Sequence, residues 1–405
     1  MTTAADPQSL LVTLLDPAHR ADPYPIFRQI REFGPLRLPE LNLAVFTSYA
    51  DCDQVLRHPA SASDRLKSTV TQRLIAEGNE ARPVGTPGFL FLDPPDHTRL
   101  RGLVSKAFVP KVVKNLEPDI VALVDDLLAR ADGTFDVISG LAYPLPVAVI
   151  CRLLGVPLED EPRFSEASGL LAQSLDPFLT VTGAAGDGHE ARLAAGLWLR
   201  DYLRTLIAER RRHPGEDLMS ALIAVEEAGD QLTEDEIVAT CNLLLVAGHE
   251  TTVNLIANAT LALLRDPAQW RALATDSGRA AVVIEETLRY DPPVQLIGRV
   301  AAEDMTIGGA DVPTGDNMLL LLAAAHRDPA VFGRPDEFDP DRPSIRHLGF
   351  GKGPHFCLGA PLARLEATVA LTALTRRFPG AMLAGEPGYK PNVTLRGMSE
   401  LTVSL

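Results

Sequence analysis

A chain of 405 residues with 46% hydrophobic side chains is long enough to bury roughly 75% of its unfolded surface, which excludes intrinsic disorder. Lys and Arg total 38 against 53 Asp and Glu, and the resulting charge of −15 argues against general affinity for nucleic acid or anionic membranes. The longest uncharged stretch, 15 positions from Val137 to Cys151 broken by Pro144 and Pro146, is too short to span a bilayer. Met1 to Arg20 carries acidic residues and no apolar signal core, so a cytoplasmic protein is expected.

No repeat, low-complexity tract or flexible linker divides the chain, and its 32 prolines are spread throughout, so a single domain over residues 1–405 is expected. The first strong helical signal runs from Asp96 to Phe108 behind Pro94 and Pro95, with Leu100, Leu103, Val104, Ala107 and Phe108 on one stripe. On another face His97 and Arg101 stand four apart, near enough to share one ligand or simply to form a solvated basic face. A second helix opens at Thr233, where Glu236 completes a capping-box pattern, and runs to Leu264 before Asp266-Pro267 stops it. At about 1.5 Å per residue it is roughly 48 Å long, and its apolar middle from Leu243 to Val246 predicts a path through the interior. Gly248 within it costs about 1 kcal/mol relative to alanine, which calls for close approach of something bulky, if only another helix. A third helix ends at Tyr290-Asp291-Pro292-Pro293. Val300 to Ile307 with Gly308-Gly309 reads as part of a hairpin, and Val393 to Leu405 as a further β segment. The expected fold class is mainly α with small β-sheets.

Cys52, Cys151, Cys241 and Cys357 are separated by 99, 90 and 116 positions, which excludes CxxC and zinc-tetrad spacing, so a functional cysteine acts singly. Cys357 follows the glycine-rich run Phe350-Gly351-Lys352-Gly353-Pro354-His355-Phe356 and stands just before a helix with Pro361 in its first turn. Unpaired N–H groups and the helix dipole there favour thiolate. A lone thiolate suits haem iron better than zinc and promotes O–O cleavage. A phosphate loop is excluded, since neither Ser nor Thr follows Lys352 and the glycine spacing is wrong; an inert buried cysteine is the plain alternative. Glu286 and Arg289 lie three apart on one helical face, and Arg342, in Phe338-Asp339-Pro340-Asp341-Arg342, can join them in a network whose breakage, if buried, costs about 3–5 kcal/mol. In Ala247-Gly248-His249-Glu250-Thr251-Thr252 an acid adjoins a hydroxyl, although Thr251 can also bond back to its own helix. A metalloprotease reading of His249-Glu250 fails, because Val253 occupies the second histidine's place.

Cys357 in an FxxGxxxCxG loop, ExxR at Glu286 and Arg289, and AGxET from Ala247 to Thr251 occur in the order found in the cytochrome P-450 monooxygenases. The chain resembles that family from about Asp93 to its C-terminus, and its N-terminus and His97/Arg101 helix resemble a soluble bacterial type. The resemblance implies a cytochrome P-450 fold with the long central helix over haem b, and Cys357 as the axial ligand of the iron. It places His97, Arg101, Arg299 and His355 on the propionates, Gly248 where O2 needs room, and Thr251, aided by Glu250, in proton delivery. Glu286, Arg289 and Arg342 become structural.

Bacterial relatives of this type draw electrons from a ferredoxin and its reductase, and no GxGxxG in a βαβ context offers an internal alternative. Arg99, Lys106, Lys111, Lys352 and Arg364 are then expected to form a local docking patch, unless they are ordinary solvated charges. Apolar segments suggest a small lipophilic substrate, and a monomer is expected. Pocket candidates are Phe89 and Phe91 in the segment Arg82 to Leu92, the segment Leu170 to Val181, then Leu243, Val246, Ala247, Val294, Ile297 and Met398, although apolar residues are also plain core. A peroxygenase fed directly by hydrogen peroxide and a haem carrier without oxidase chemistry are both disfavoured by the Glu250-Thr251 pair.

Overall fold

The computed structural model describes residues 6–78, 85–182, 188–227 and 232–405. Residues 82–84 of the expected pocket segment therefore lie outside the described residues. Helices dominate, and they gather around one of 32 residues, Glu234–Arg265, called the central helix below. Its start is fixed locally: Thr233 Oγ1 accepts the Glu236 amide at 3.3 Å while Glu236 accepts the Thr233 amide at 2.8 Å. Its end is equally local, because the Asp266 carboxylate caps the next helix, Pro267–Thr275. From Thr252 to Leu264 every residue is buried. Helices Pro144–Leu154, His189–Arg212, Ala280–Tyr290 and Ala360–Arg377 pack around it and form the main core.

The helix carrying His97 spans Asp96–Ser105 and passes into a tighter turn, Lys106–Phe108. Leu100, Val104 and Phe108 are buried as the stripe predicts, but His97 is buried too, at 2% exposure, so the solvated-face alternative fails there.

The largest sheet has five strands in the spatial order Leu36–Leu38, Leu43–Phe46, Asn317–Leu320, Ile297–Ala301 and Ser61–Ala62. Leu43–Phe46 runs parallel to Asn317–Leu320, and the other pairs are antiparallel. Alternation along these strands sends Leu43, Val45 and Leu319 to one core cluster and Ala44, Phe46, Met318 and Leu320 to another. The expected hairpin is shorter than its sequence signal. Asp304 accepts the Thr314 amide and hydroxyl at 2.8 Å each, and the chain turns there. Met305–Ile307 and Ala310–Val312 then pair around Gly308 and Gly309, whose φ values of 56° and 85° suit a hairpin turn. The Val393 to Leu405 segment likewise splits, Met398–Glu400 pairing with Gly388–Tyr389 and Thr402–Ser404 with Thr134–Asp136 and Met382–Leu383.

A polar node ties the ends of the chain together. Asp291 accepts the Tyr24 hydroxyl at 2.7 Å and Arg396 Nη1 at 2.6 Å, while Arg396 Nε donates to the Arg20 carbonyl at 3.1 Å. Arg20 in turn donates to the Pro391 carbonyl at 2.7 Å. Among the described residues no helix is long and apolar enough to cross a membrane.

Candidate functional site

The cysteine loop is held by its backbone. The Cys357 amide donates to the Phe350 carbonyl at 2.8 Å, and the Gly351 amide to the Leu348 carbonyl at 2.7 Å. Gly353 has φ +67°, and a Cβ there would fall 2.6 Å from the Leu56 carbonyl oxygen, so only glycine fits. The Leu348 amide donates to Nε2 of the fully buried His326 at 2.7 Å, pinning the loop from below. Cys357 sits just before the helix Ala360–Arg377, with the Gly359 and Ala360 amides on its sulfur. The expectation that this position alone favours thiolate needs correction. Burial raises the thiol pKa by more than those amides and the Arg101 and Arg364 guanidiniums lower it.

Behind the loop the predicted ion network is assembled. Arg289 meets both oxygens of Glu286 at 2.9 and 2.6 Å, with both side chains fully buried. Arg342 Nε and the Asp339 amide converge on Glu286 Oε1 at 3.0 and 2.9 Å. Arg289 also donates to the carbonyls of His326, Pro335 and Glu337, at 3.2, 2.6 and 2.8 Å. One ion pair thereby fixes the meander and the backbone of the histidine that holds the cysteine loop.

On the other side of the loop four basic groups gather. The His97 and His355 rings lie 4.1 Å apart, and Arg101 Nη2 donates to the Phe356 carbonyl at 2.5 Å. Both ring nitrogens of His97 are buried without a hydrogen-bond partner. Arg299 reaches only the carbonyl of its neighbour Gly298, and dehydration lowers its pKa to about 10 despite Asp93 nearby. Burial, reinforced by Arg299 and His97, pulls His355 down to about 3. None of the four has a carboxylate ion-pair partner among the described residues.

The central helix leaves one stripe accessible in its middle. Leu243, Val246, Ala247 and Thr251, spaced i, i+3, i+4 and i+8, remain accessible, Ala247 most of all. Thr251 Oγ1 donates to the Ala247 carbonyl at 2.9 Å, the back-bond anticipated above. Glu250 points elsewhere and meets Lys390 Nζ at 2.7 Å. Gly248 faces Ile150 of Pro144–Leu154, which a Cβ would approach to 3.1 Å, so the bulky neighbour on that side is another helix. Val294, Ile297 and Phe91 are partly accessible and can line the same space, but Phe89 and Met398, at 5% and 0% exposure, belong to the main core and leave the pocket set.

Two groups escaped the sequence reading. Lys390, 140 positions from Glu250, carries no motif. Arg65 lies over the Phe91 ring, 4.9 Å from its centroid, within a short turn. Two of the expected docking cations have internal partners: Arg99 binds Glu236 at 2.5 Å, and Arg364 binds Glu285 through contacts of 2.6 and 3.0 Å. Lys106 and Lys111 are exposed and Lys352 half-buried.

The family model described as Cytochrome P450 matches residues 32–281 and 279–392. CYP164A2 of Mycobacterium smegmatis, solved in a ligand-free state, is 70% identical with a TM-score of 0.95, covering 98% of this chain and 100% of that one. Cytochrome P450 107B1 of Saccharopolyspora erythraea is 40% identical over 100% of this chain and 99% of its own. The vitamin D(3) 25-hydroxylase of Pseudonocardia autotrophica is 40% identical over 95% and 94%. Matched along nearly its whole length in sequence and in fold, the chain belongs to the bacterial-type cytochrome P-450 monooxygenases, a family of haem-iron enzymes.

Proposed function

We propose that Cys357 is the axial thiolate ligand of haem b and that the enzyme inserts one atom of O2 into a small lipophilic substrate. The carboxylate-free basic cluster beside the cysteine loop carries this reading. His97 keeps two buried nitrogens without partners, and Arg299 is dehydrated without an ion-pair partner among the described residues, an arrangement that is costly until carboxylates enter it. The two propionates of haem b match His97, Arg101, Arg299 and His355 in charge and in hydrogen-bonding type. A cation on Cys357 Sγ likewise overcomes the effect of burial, because a metal-bound thiol is deprotonated. When bound, the haem iron supplies activation of O2 and transfer of one oxygen atom.

The chain's own work is positioning, proton handling and exclusion of water. Glu286, Arg289 and Arg342 hold the meander, and through His326 the loop, without touching substrate. The Thr251 hydroxyl, which donates to the Ala247 carbonyl, rotates to give its proton toward the accessible stripe, and the replacement proton comes from solvent by way of the Glu250–Lys390 ion pair. Gly248 is taken as the neighbour of O2 through its backbone, since the side chain it lacks would face Ile150. Leu243, Val246, Ala247, Val294, Ile297 and Phe91 offer a lipophilic substrate an apolar wall, and one relative is named for hydroxylating vitamin D(3).

Electrons come from a ferredoxin and its reductase, with Lys106, Lys111 and Lys352 as the docking cations left by the internal pairing of Arg99 and Arg364. The protein acts as a cytoplasmic monomer, without membrane or nucleic-acid partners. The first test is the carbon monoxide difference spectrum of dithionite-reduced protein. A strongly red-shifted Soret band is expected, lost in Cys357→His. A band at the ordinary histidine-haem position in the native chain would overturn the assignment. Turnover with a ferredoxin system but little with hydrogen peroxide separates a monooxygenase from a peroxygenase.

A further inference from the structure

Glu285 stands next to Glu286 on the helix Ala280–Tyr290 but serves a different neighbour, and the proposed function leaves it without a task. Its carboxylate grips Arg364, 79 positions away on the helix that follows the cysteine loop. Arg364 Nε meets Oε1 at 2.6 Å and Nη2 meets Oε2 at 3.0 Å, the two-pronged geometry that a guanidinium and a carboxylate make best. A third group completes the cluster. The Gly349 amide donates to His347 Nδ1 at 3.1 Å, so the ring's own proton sits on Nε2 and is donated to Glu285 Oε2 at 2.9 Å. His347 is therefore a donor tied to the loop, and it fixes the carboxylate that fixes Arg364.

This cluster is fastened to the backbone that carries Cys357. The Arg364 guanidinium lies over the Phe350 ring, 4.5 Å from its centroid, and the Phe350 carbonyl accepts the Cys357 amide at 2.8 Å. The same ring stands 5.8 Å from His347 and 6.4 Å from Phe356, the residue before the cysteine. Glu285, His347, Phe350, Phe356 and Arg364 all line one cleft of about 510 Å3. Two guanidiniums thus adjoin the cysteine loop, and the fold treats them differently. Arg101 donates to the Phe356 carbonyl and has no carboxylate partner among the described residues, which leaves its charge for a propionate. Arg364 has its charge cancelled on the spot. A bare cation there would hold back the electrons that a thiolate ligand pushes toward the iron, and would favour the reduced state.

Resting on the proposed haem-thiolate function, we infer that Glu285 is a positioning residue which, braced by His347, keeps Arg364 neutralised beside the cysteine loop and so sets the reduction potential of the haem.

The step concerned is the uptake of one electron from the donor, which turns ferric haem ferrous and neither makes nor breaks a bond. The test is a spectroelectrochemical titration of substrate-free holoenzyme at neutral pH and fixed ionic strength, comparing wild type with E285Q, R364Q, R364K and the double variant E285Q/R364Q. E285Q leaves Arg364 positive and should raise the potential, shifting the ferrous-to-ferric ratio at a given electrode potential by about threefold or more. R364Q leaves the carboxylate and should lower it. R364K should stay near wild type, and the double variant, neutral again, should return most of the way. A mere brace for the loop would move both single variants in one direction and make the double variant the worst. Unchanged potentials, shifts of the same sign in E285Q and R364Q, or a double variant that does not return would each overturn the assignment. Loss of haem from both single variants would also overturn it, by making the pair a structural clasp; if one alone loses haem, the other and the double variant decide. The carbon monoxide band is recorded on every sample. A wild-type haem without the thiolate band would overturn the thiolate reading alone, and the titration would still decide the role of the pair, whereas a chain that binds no haem would overturn both.

Discussion

Lys390 reaches Glu250 across 140 positions of sequence, and among the described residues this ion pair holds the acid beside Thr251. The Glu250 side chain is 11% exposed, so removing the ammonium strands a carboxylate in a poorly hydrated place. Lys390→Met should therefore lower unfolding stability by about 1–3 kcal/mol in urea titrations and shift the pH profile of turnover, whereas Lys390→Arg should restore both. Thr251→Ala removes a hydroxyl that, among the described residues, bonds just to its own helix, so haem content and fold should be unaffected. Its expected signature is uncoupling: reducing equivalents consumed at near wild-type rate, with product replaced by hydrogen peroxide. Product coupled as well as in wild type would remove Thr251 from proton delivery.

Among the elements, the central helix and the helix Ala280–Tyr290 carry opposite lessons. Gly248 was legible as a close-approach site, but the neighbour was not, because Ile150 lies on a helix nearly a hundred positions earlier. Gly248→Ala should be destabilising in the native background, since its Cβ comes 3.1 Å from Ile150 Cδ1. With Ile150→Ala making room, the same change should become neutral or stabilising by up to about 1 kcal/mol, the helix propensity of alanine over glycine. In the other helix the Glu286–Arg289 spacing is local, so the pair was readable, and only the meander's approach needed the fold. Glu286→Gln should cost about 3–5 kcal/mol in chemical denaturation and reduce haem retention together, because it leaves the fully buried Arg289 charge without its carboxylate. Pocket residues were read less well. Phe89 and Phe91 are two apart and equally apolar, yet one is core and the other lines the accessible space, a choice made by tertiary packing rather than by residue type.

At the scale of the whole molecule, charge is distributed against expectation. The net charge of −15 was plain, but two of the five cations expected to dock a partner are neutralised by acids distant in sequence. Glu285 is one such acid: burial alone would raise it from 4.5, but His347 and Arg364 bring it down to about 2. Its contribution to stability is complete above the unfolded-state value and is lost as pH falls from about 4.5 toward 2. Denaturation curves of wild type and Glu285→Gln should therefore differ most near neutrality and converge under acid conditions. Reduction by a ferredoxin should slow in Lys352→Glu with a flatter dependence on ionic strength, and a rate indifferent to salt would remove the docking cations.

The node that joins Tyr24, Asp291 and Arg396 also bears on how the protein is made. Arg20 pairs with residues 371 and 376 positions away, and the parallel partner of Leu43–Phe46 is Asn317–Leu320. During synthesis the first fifty residues can pair among themselves, but their contacts with Asn317–Leu320 and Arg396 must wait until those residues have left the ribosome. Closure of this node is thus late, and a chain cut short before Arg396 would lack the residue that fastens its beginning.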